Sequence, residues 1–163
     1  MIGMRSLLAV LAWLAVSAPA AAETLSGAEN RLEFEGNTVV GTYVGGGAFS
    51  EYHLPDGRAL GNNGFTANVD ACWNTDGDRV CYHYGTSKER RTYCFTVERQ
   101  GPWLWMRVAE TGRLNAVAQV EKGNPARHDD GGQRWSCDDL LSRRGGEADV
   151  ARARLPGRSM PSP

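Results

Sequence analysis

Asp70, His83 and Thr92 are the side chains in this sequence that come nearest to a catalytic constellation. A carboxylate beside an imidazole orients the ring and raises its basicity, and a hydroxyl on the far side supplies a nucleophile. The same three types also make an ordinary solvated cross-strand cluster, and that reading is favoured. His53 follows Glu51 by two positions, and His128 precedes Asp129 and Asp130 in a glycine-rich stretch. These are ligand types for a divalent metal, but their spacing matches no compact ligand set. No metal or other cofactor is therefore assigned.

The run 103–108 alternates, so Trp103 and Trp105 share one face of a strand while Leu104, Met106 and Val108 share the other. A pair of indoles suits a ligand groove, with Trp103 and Trp105, Asp70 and His83 as the candidate binding residues. Packing of the indoles against a helix or a terminal segment suits them as well. Signatures of the common serine hydrolases, zinc proteases, P-loop nucleotide binders and c-type haem proteins do not occur.

Four cysteines, Cys72, Cys81, Cys94 and Cys137, carry the remaining chemistry. An even count without a C-x-x-C pair reads as two disulfides in an oxidising compartment. The first residues agree with export. Arg5 precedes an apolar stretch from Leu7 to Val16, and small residues with Pro19 lead to an Ala-x-Ala end at Ala22, the pattern of a cleavable secretory signal over residues 1–22. The apolar stretch is shorter than the roughly 20 residues a membrane-spanning helix needs. Removing it leaves 141 residues and takes the net charge from −1 to −2, which gives no electrostatic footprint for nucleic acid.

These residues need a scaffold, and the remaining pattern specifies one. Ser26 followed by Glu29 is a capping box that opens one short helix within 25–34, with Leu32 on its apolar face. After Gly36, short alternating runs separated by glycine-rich turns predict strands at 38–44, 49–54, 58–61, 68–74, 79–84, 92–98, 103–108 and 113–121. From residue 142 onward the chain is rich in Arg, Gly and Pro and too poor in large apolar residues to form a core, so 142–163 is expected to be a disordered tail.

Taking Asp76 and Gly77 as a two-residue hairpin turn pairs Cys72 with Cys81 and Asp70 with His83. A loop over 85–90 then pairs Tyr84 with Arg91, Cys81 with Cys94 and Val80 with Phe95. This register puts Val69, Ala71, Trp73, Val80, Tyr82, Tyr84, Tyr93, Phe95 and Val97 on a core face. The opposite face carries the cysteines among Asp70, Asn74, Arg79, His83, Thr92 and Thr96. Cys81 lies within disulfide reach of both neighbours. Cys81 with Cys94 and Cys72 with Cys137 is favoured; Cys72 with Cys81 and Cys94 with Cys137 is the alternative.

The run from Phe34 to Gly41 after a helix, Phe49 to Tyr52 with Pro55, Asp56 and Gly57, Gly77 to Cys81, Tyr93 to Phe95, and Gly123, Asn124 and Pro125 together resemble a group of small exported alphaproteobacterial proteins, the DUF995-like families. The resemblance spans about residues 25–125. It implies export and a β meander, and no reaction. Cys72 and Cys137 depart from its pattern.

The sequence thus predicts a mainly β domain over 23–141, an antiparallel meander curling into a small barrel or sandwich with one short N-terminal helix. Its expected role is a non-catalytic periplasmic or secreted module that binds a small molecule or an envelope protein. The alternative is a periplasmic hydrolase using Asp70 and His83.

Overall fold

The structure, a computed structural model, describes residues 22–64, 66–68, 70–85 and 88–140. The expected signal segment up to residue 21, the tail 142–163 and the core position Val69 lie outside the described residues. In chain order the elements are β1 (Glu23–Thr24), α1 (Gly27–Phe34), β2 (Asn37–Tyr43), β3 (Ala48–His53), β4 (Ala59–Asn63), β5 (Thr66–Ala67), β6 (Cys72–Asp76), β7 (Arg79–Tyr84), β8 (Arg91–Gln100), β9 (Trp103–Val108) and β10 (Leu114–Lys122). Nine strands form one antiparallel sheet in the order β5-β4-β3-β2-β10-β9-β8-β7-β6, and β1 adds to β8. The sheet curls into a half-barrel, the mainly β architecture the alternating runs predict.

Every inward row follows the period-two rule: Val39, Gly41 and Tyr43 on β2, Phe49, Glu51 and His53 on β3, Val80, Tyr82 and Tyr84 on β7, Leu104 and Met106 on β9. Gly41 is required by this packing. A Cβ there would lie 2.6 Å from the Phe49 ring and 2.7 Å from the Val117 carbonyl oxygen, so only glycine lets Phe49 fold across β2.

Helix α1 forms at the expected capping box. The Ser26 hydroxyl accepts from the Glu29 N–H, and the Glu29 carboxylate accepts from the Ser26 N–H at 2.8 Å. At the other end the Asn37 amide donates to the Glu33 carbonyl at 2.9 Å, and Gly36 turns the chain with φ 73°. The buried face is Asn30 and Phe34, one turn apart; Leu32, expected on that face, is 77% exposed. Phe34 packs edge-on to His53, 5.1 Å between ring centres, so the helix covers one end of the half-barrel.

The second hairpin has the expected register, with Tyr84 opposite Arg91, Cys81 opposite Cys94 and Val80 opposite Phe95. The first is shifted by two residues. Asp76 pairs with Arg79, and the turn residues are Gly77 and Asp78. Only Gly77 has a positive φ, 56°, which is the requirement of a type II′ turn with glycine first, whereas the expected type I′ turn needs two left-handed residues in succession. Asp78 is held by the helix, its carboxylate accepting from the Gly27 N–H at 2.9 Å. A slip of two preserves which face each side chain occupies, so the sorting of core from polar residues survives. It changes every partner, however: Cys72 faces His83 and Asn74 faces Cys81.

Cys81 therefore has Cys94 as its cross-strand sulfur, and the two are bonded with Cα atoms 4.1 Å apart. Cys72 bonds Cys137, Cα to Cα 5.8 Å, drawing the C-terminal segment over the outer face of β6. That face, expected to be solvated, is covered by a small cluster of Cys72, Cys137, Leu140 and Trp135, and the Trp135 indole N–H donates to the Ala71 carbonyl at 3.0 Å. The two sheet edges meet near β4 and β6, where the Ala59 N–H donates to Ala71 at 3.0 Å and the Trp73 N–H donates to Gly57 at 2.7 Å.

Candidate functional site

The inward rows of β2, β3, β7 and β8 leave a cavity of about 380 Å³ at the end of the half-barrel away from α1. Its walls are aromatic. Tyr43 and Phe49 lie 4.9 Å apart, Tyr82 and Tyr84 stack at 6.4 Å, and Tyr93 and Phe95 continue the wall on β8. Met106 and Ala116 contribute further apolar surface, and the exposed Arg91 lines the mouth. Four of the five tyrosines in the chain line this one space, which is the consequence of period-two placement on adjoining strands.

Glu51 stands in the middle of the inward row of β3, between Phe49 and His53, and is 3% exposed. Its Oε1 accepts from the Asn68 amide at 2.6 Å and from the Tyr84 hydroxyl at 3.1 Å. Tyr84 in turn accepts from the Asn63 amide at 3.2 Å, and the Tyr43 hydroxyl donates to the Asn63 carbonyl oxygen. The result is a directed chain from Tyr43 through Asn63 and Tyr84 to Glu51. Burial pushes the Glu51 carboxyl up to about 7, with the hydrogen bonds from Asn68 and Tyr84 opposing the rise. Burial, with the Glu51 charge second, holds the hydroxyls of Tyr43, Tyr82 and Tyr84 above their ordinary value, so they remain protonated donors.

Below this layer His53 is fully buried, and burial pulls it down to about 3. Its Nδ1 faces the Asn37 carbonyl at 3.4 Å, and a carbonyl only accepts, so Nδ1 carries the proton. Nε2 then accepts from the Tyr82 hydroxyl at 2.8 Å. His53 is a structural link between the α1 end and the cavity wall.

The expected site residues fall elsewhere. The Asp70 and His83 pair does not form, because the two-residue shift puts Cys72 opposite His83. Asp70 lines a second, adjoining hollow with Asn68, Asn63 and Tyr84. His83 bonds Thr92 at 2.9 Å, the neighbour the second hairpin predicts, and Asn74 at 3.3 Å. Trp103 and Trp105 do face one way, but that way is outward: Leu104 and Met106 fill the core, Trp103 is 46% exposed, and the Arg107 guanidinium lies 6.0 Å from the Trp105 ring. Neither indole lines the cavity. His128 bonds Ser50 at 2.7 Å, on the face of β3 opposite to Glu51. Among the described residues no three His, Cys, Asp or Glu side chains gather as a metal site.

Of the residues that do assemble, Glu51, Tyr43, Tyr84 and Asn63, the sequence placed Tyr84 on the core face, and it carries a signal for Glu51 as well. In Phe49, Ser50, Glu51, Tyr52, His53, alternation puts Glu51 on the same side as Phe49. A carboxylate among core aromatics marks a candidate site.

Fold and site define a class, a half-barrel with an aromatic cavity and a buried carboxyl at its inner wall. Comparison with protein-family models, with curated proteins and with solved structures gives no match.

Proposed function

We propose that this chain is an exported binding module that holds a small, mostly apolar organic molecule in the tyrosine-lined cavity. The observation that carries the reading is Glu51, a carboxyl buried among aromatics and fixed by two donors to the cavity wall. Burying such a group costs free energy that folding alone does not repay, and it serves a ligand that needs one directed polar contact in apolar surroundings. A cavity of about 380 Å³ falls in the range used for small molecules. Among the described residues lining it there is no Ser, Cys or His, which favours binding over hydrolysis, and Asp70 does not face His83 across the β6–β7 pair as the hydrolase alternative expected. Export rests on the signal-like residues 1–22 and agrees with two disulfides.

Fluorotyrosine labelling reads the cavity directly. In the disulfide-bonded chain, a panel of small aromatic and aliphatic compounds should contain members that shift the ¹⁹F resonances of Tyr43, Tyr82, Tyr84 and Tyr93 while leaving Tyr52, outside the cavity, in place. A panel that moves none of the four, or that moves Tyr52 equally, defeats the reading.

A further inference from the structure

Glu51 has one oxygen committed and one to spare. Asn68 and Tyr84 both donate to Oε1, at 2.6 and 3.1 Å, and no described residue donates to Oε2. The described residues also offer Glu51 no ion-pair partner. Yet the side chain lines the cavity, so Oε2 is the atom left to meet an occupant. Resting on the binding reading above, the geometry points to a small organic amine in its ammonium form as that occupant, its N–H donors on Glu51 Oε2 and its apolar body against the rings of Tyr43, Phe49 and Tyr84.

Three features select a cation over a neutral guest. Donors on Oε1 stabilise the ionised carboxylate, which then lacks only a counter-charge. Aromatic rings attract a cation set over their faces, and tyrosine and phenylalanine rings dominate the lining of this cavity. The groups facing Glu51 are Tyr43 from β2, Asn63 from β4, Asn68 beyond β5, and Tyr82 and Tyr84 from β7, all neutral near pH 7; the charged Arg91 of β8 is exposed at the mouth, and Asp70 lies in the adjoining hollow. The interior thus holds a single potential negative charge and no positive one among its described residues. Arg91 disfavours a second cationic group on the guest.

Because burial raises the carboxyl to about 7, an ammonium guest ionises it: the Glu51 O–H proton leaves to buffer, and the amine keeps its own protons. Binding should therefore strengthen as pH rises. The probes are 2-phenylethylamine and its neutral analogue 2-phenylethanol, titrated into the fluorotyrosine-labelled chain at about pH 6 and about pH 8. Expected are an amine affinity about tenfold above the alcohol at the higher pH, an advantage that shrinks several-fold at the lower pH, and equal affinities for the two in E51Q. R91A should bind the amine as well as or better than the unmodified chain. Equal binding of amine and alcohol, an amine affinity that falls as pH rises, or an E51Q protein that keeps the preference overturns the inference. If the alcohol shifts the four cavity tyrosines but the amine has no advantage, the amine assignment fails and the cavity reading stands; if neither compound shifts them, both fail. Should E51Q not fold, the pH comparison in the unmodified chain decides alone.

Discussion

Glu51 and His53 sit two positions apart on the same inward row and are shifted in opposite senses by the same cause, removal from water. For Glu51 the folded value, about 7, lies above the ordinary 4.5, so its contribution is fully present below about pH 4.5 and is lost as pH rises through 7. For His53 the folded value, about 3, lies below the ordinary 6.5, so its contribution is present above about 6.5 and is lost as pH falls through 3. The two slopes oppose each other between about 4.5 and 6.5. Comparing urea unfolding of the unmodified protein with E51Q isolates the carboxyl: the glutamine variant should gain on the unmodified chain by on the order of 3 kcal/mol between acid and mildly alkaline pH. A difference that stays flat with pH would show that Glu51 keeps an ordinary carboxyl in the fold. Alternation alone put Glu51 beside Phe49 on β3 and Tyr84 on the core face of β7, while the link that joins them through Asn63 on β4 left no local trace.

At the scale of elements, the hairpin of β6 and β7 shows how a turn is chosen by more than its own residues. Asp-Gly and Gly-Asp are both legitimate two-residue turns in the run Thr75, Asp76, Gly77, Asp78, Arg79. The second wins with three contacts that involve the rest of the chain or the flanking pair. Asp78 caps the Gly27 N–H, the Asn30 amide reaches the Asp78 carbonyl at 3.2 Å, and Arg79 pairs with Asp76 across the turn. Gly77 is the one residue there with positive φ, at 56°, so G77A should cost about 1–2 kcal/mol in chemical denaturation. An unchanged midpoint would mean that the tip relaxes to another turn without penalty. The second hairpin has the register that follows from taking 85–90 as its loop, with Cys81 opposite Cys94, although a slip of two would have sorted the faces equally well.

Across the whole molecule, one disulfide is a short-range staple and the other a long-range tether. They close separations of 13 and 65 residues. By chain entropy the shorter loop is worth about 3 kcal/mol and the longer about 4 kcal/mol. The double variant C72S/C137S should therefore lose more stability than C81S/C94S, and it should also raise the emission response of Trp135 to quencher as the cover over β6 loosens. A larger loss from the C81S/C94S variant would reverse this ranking. Alternation and the capping box indicated by themselves the helix, most of the strands and the sorting of core from polar side chains on β7 and β8, because these depend on neighbours within a few positions. Which cysteine meets which, whether the indoles face inward, and where a cavity opens were decided only by the tertiary structure. Those outcomes turn on the direction in which the sheet curls and on a register fixed by the helix, and both are interactions between residues tens of positions apart.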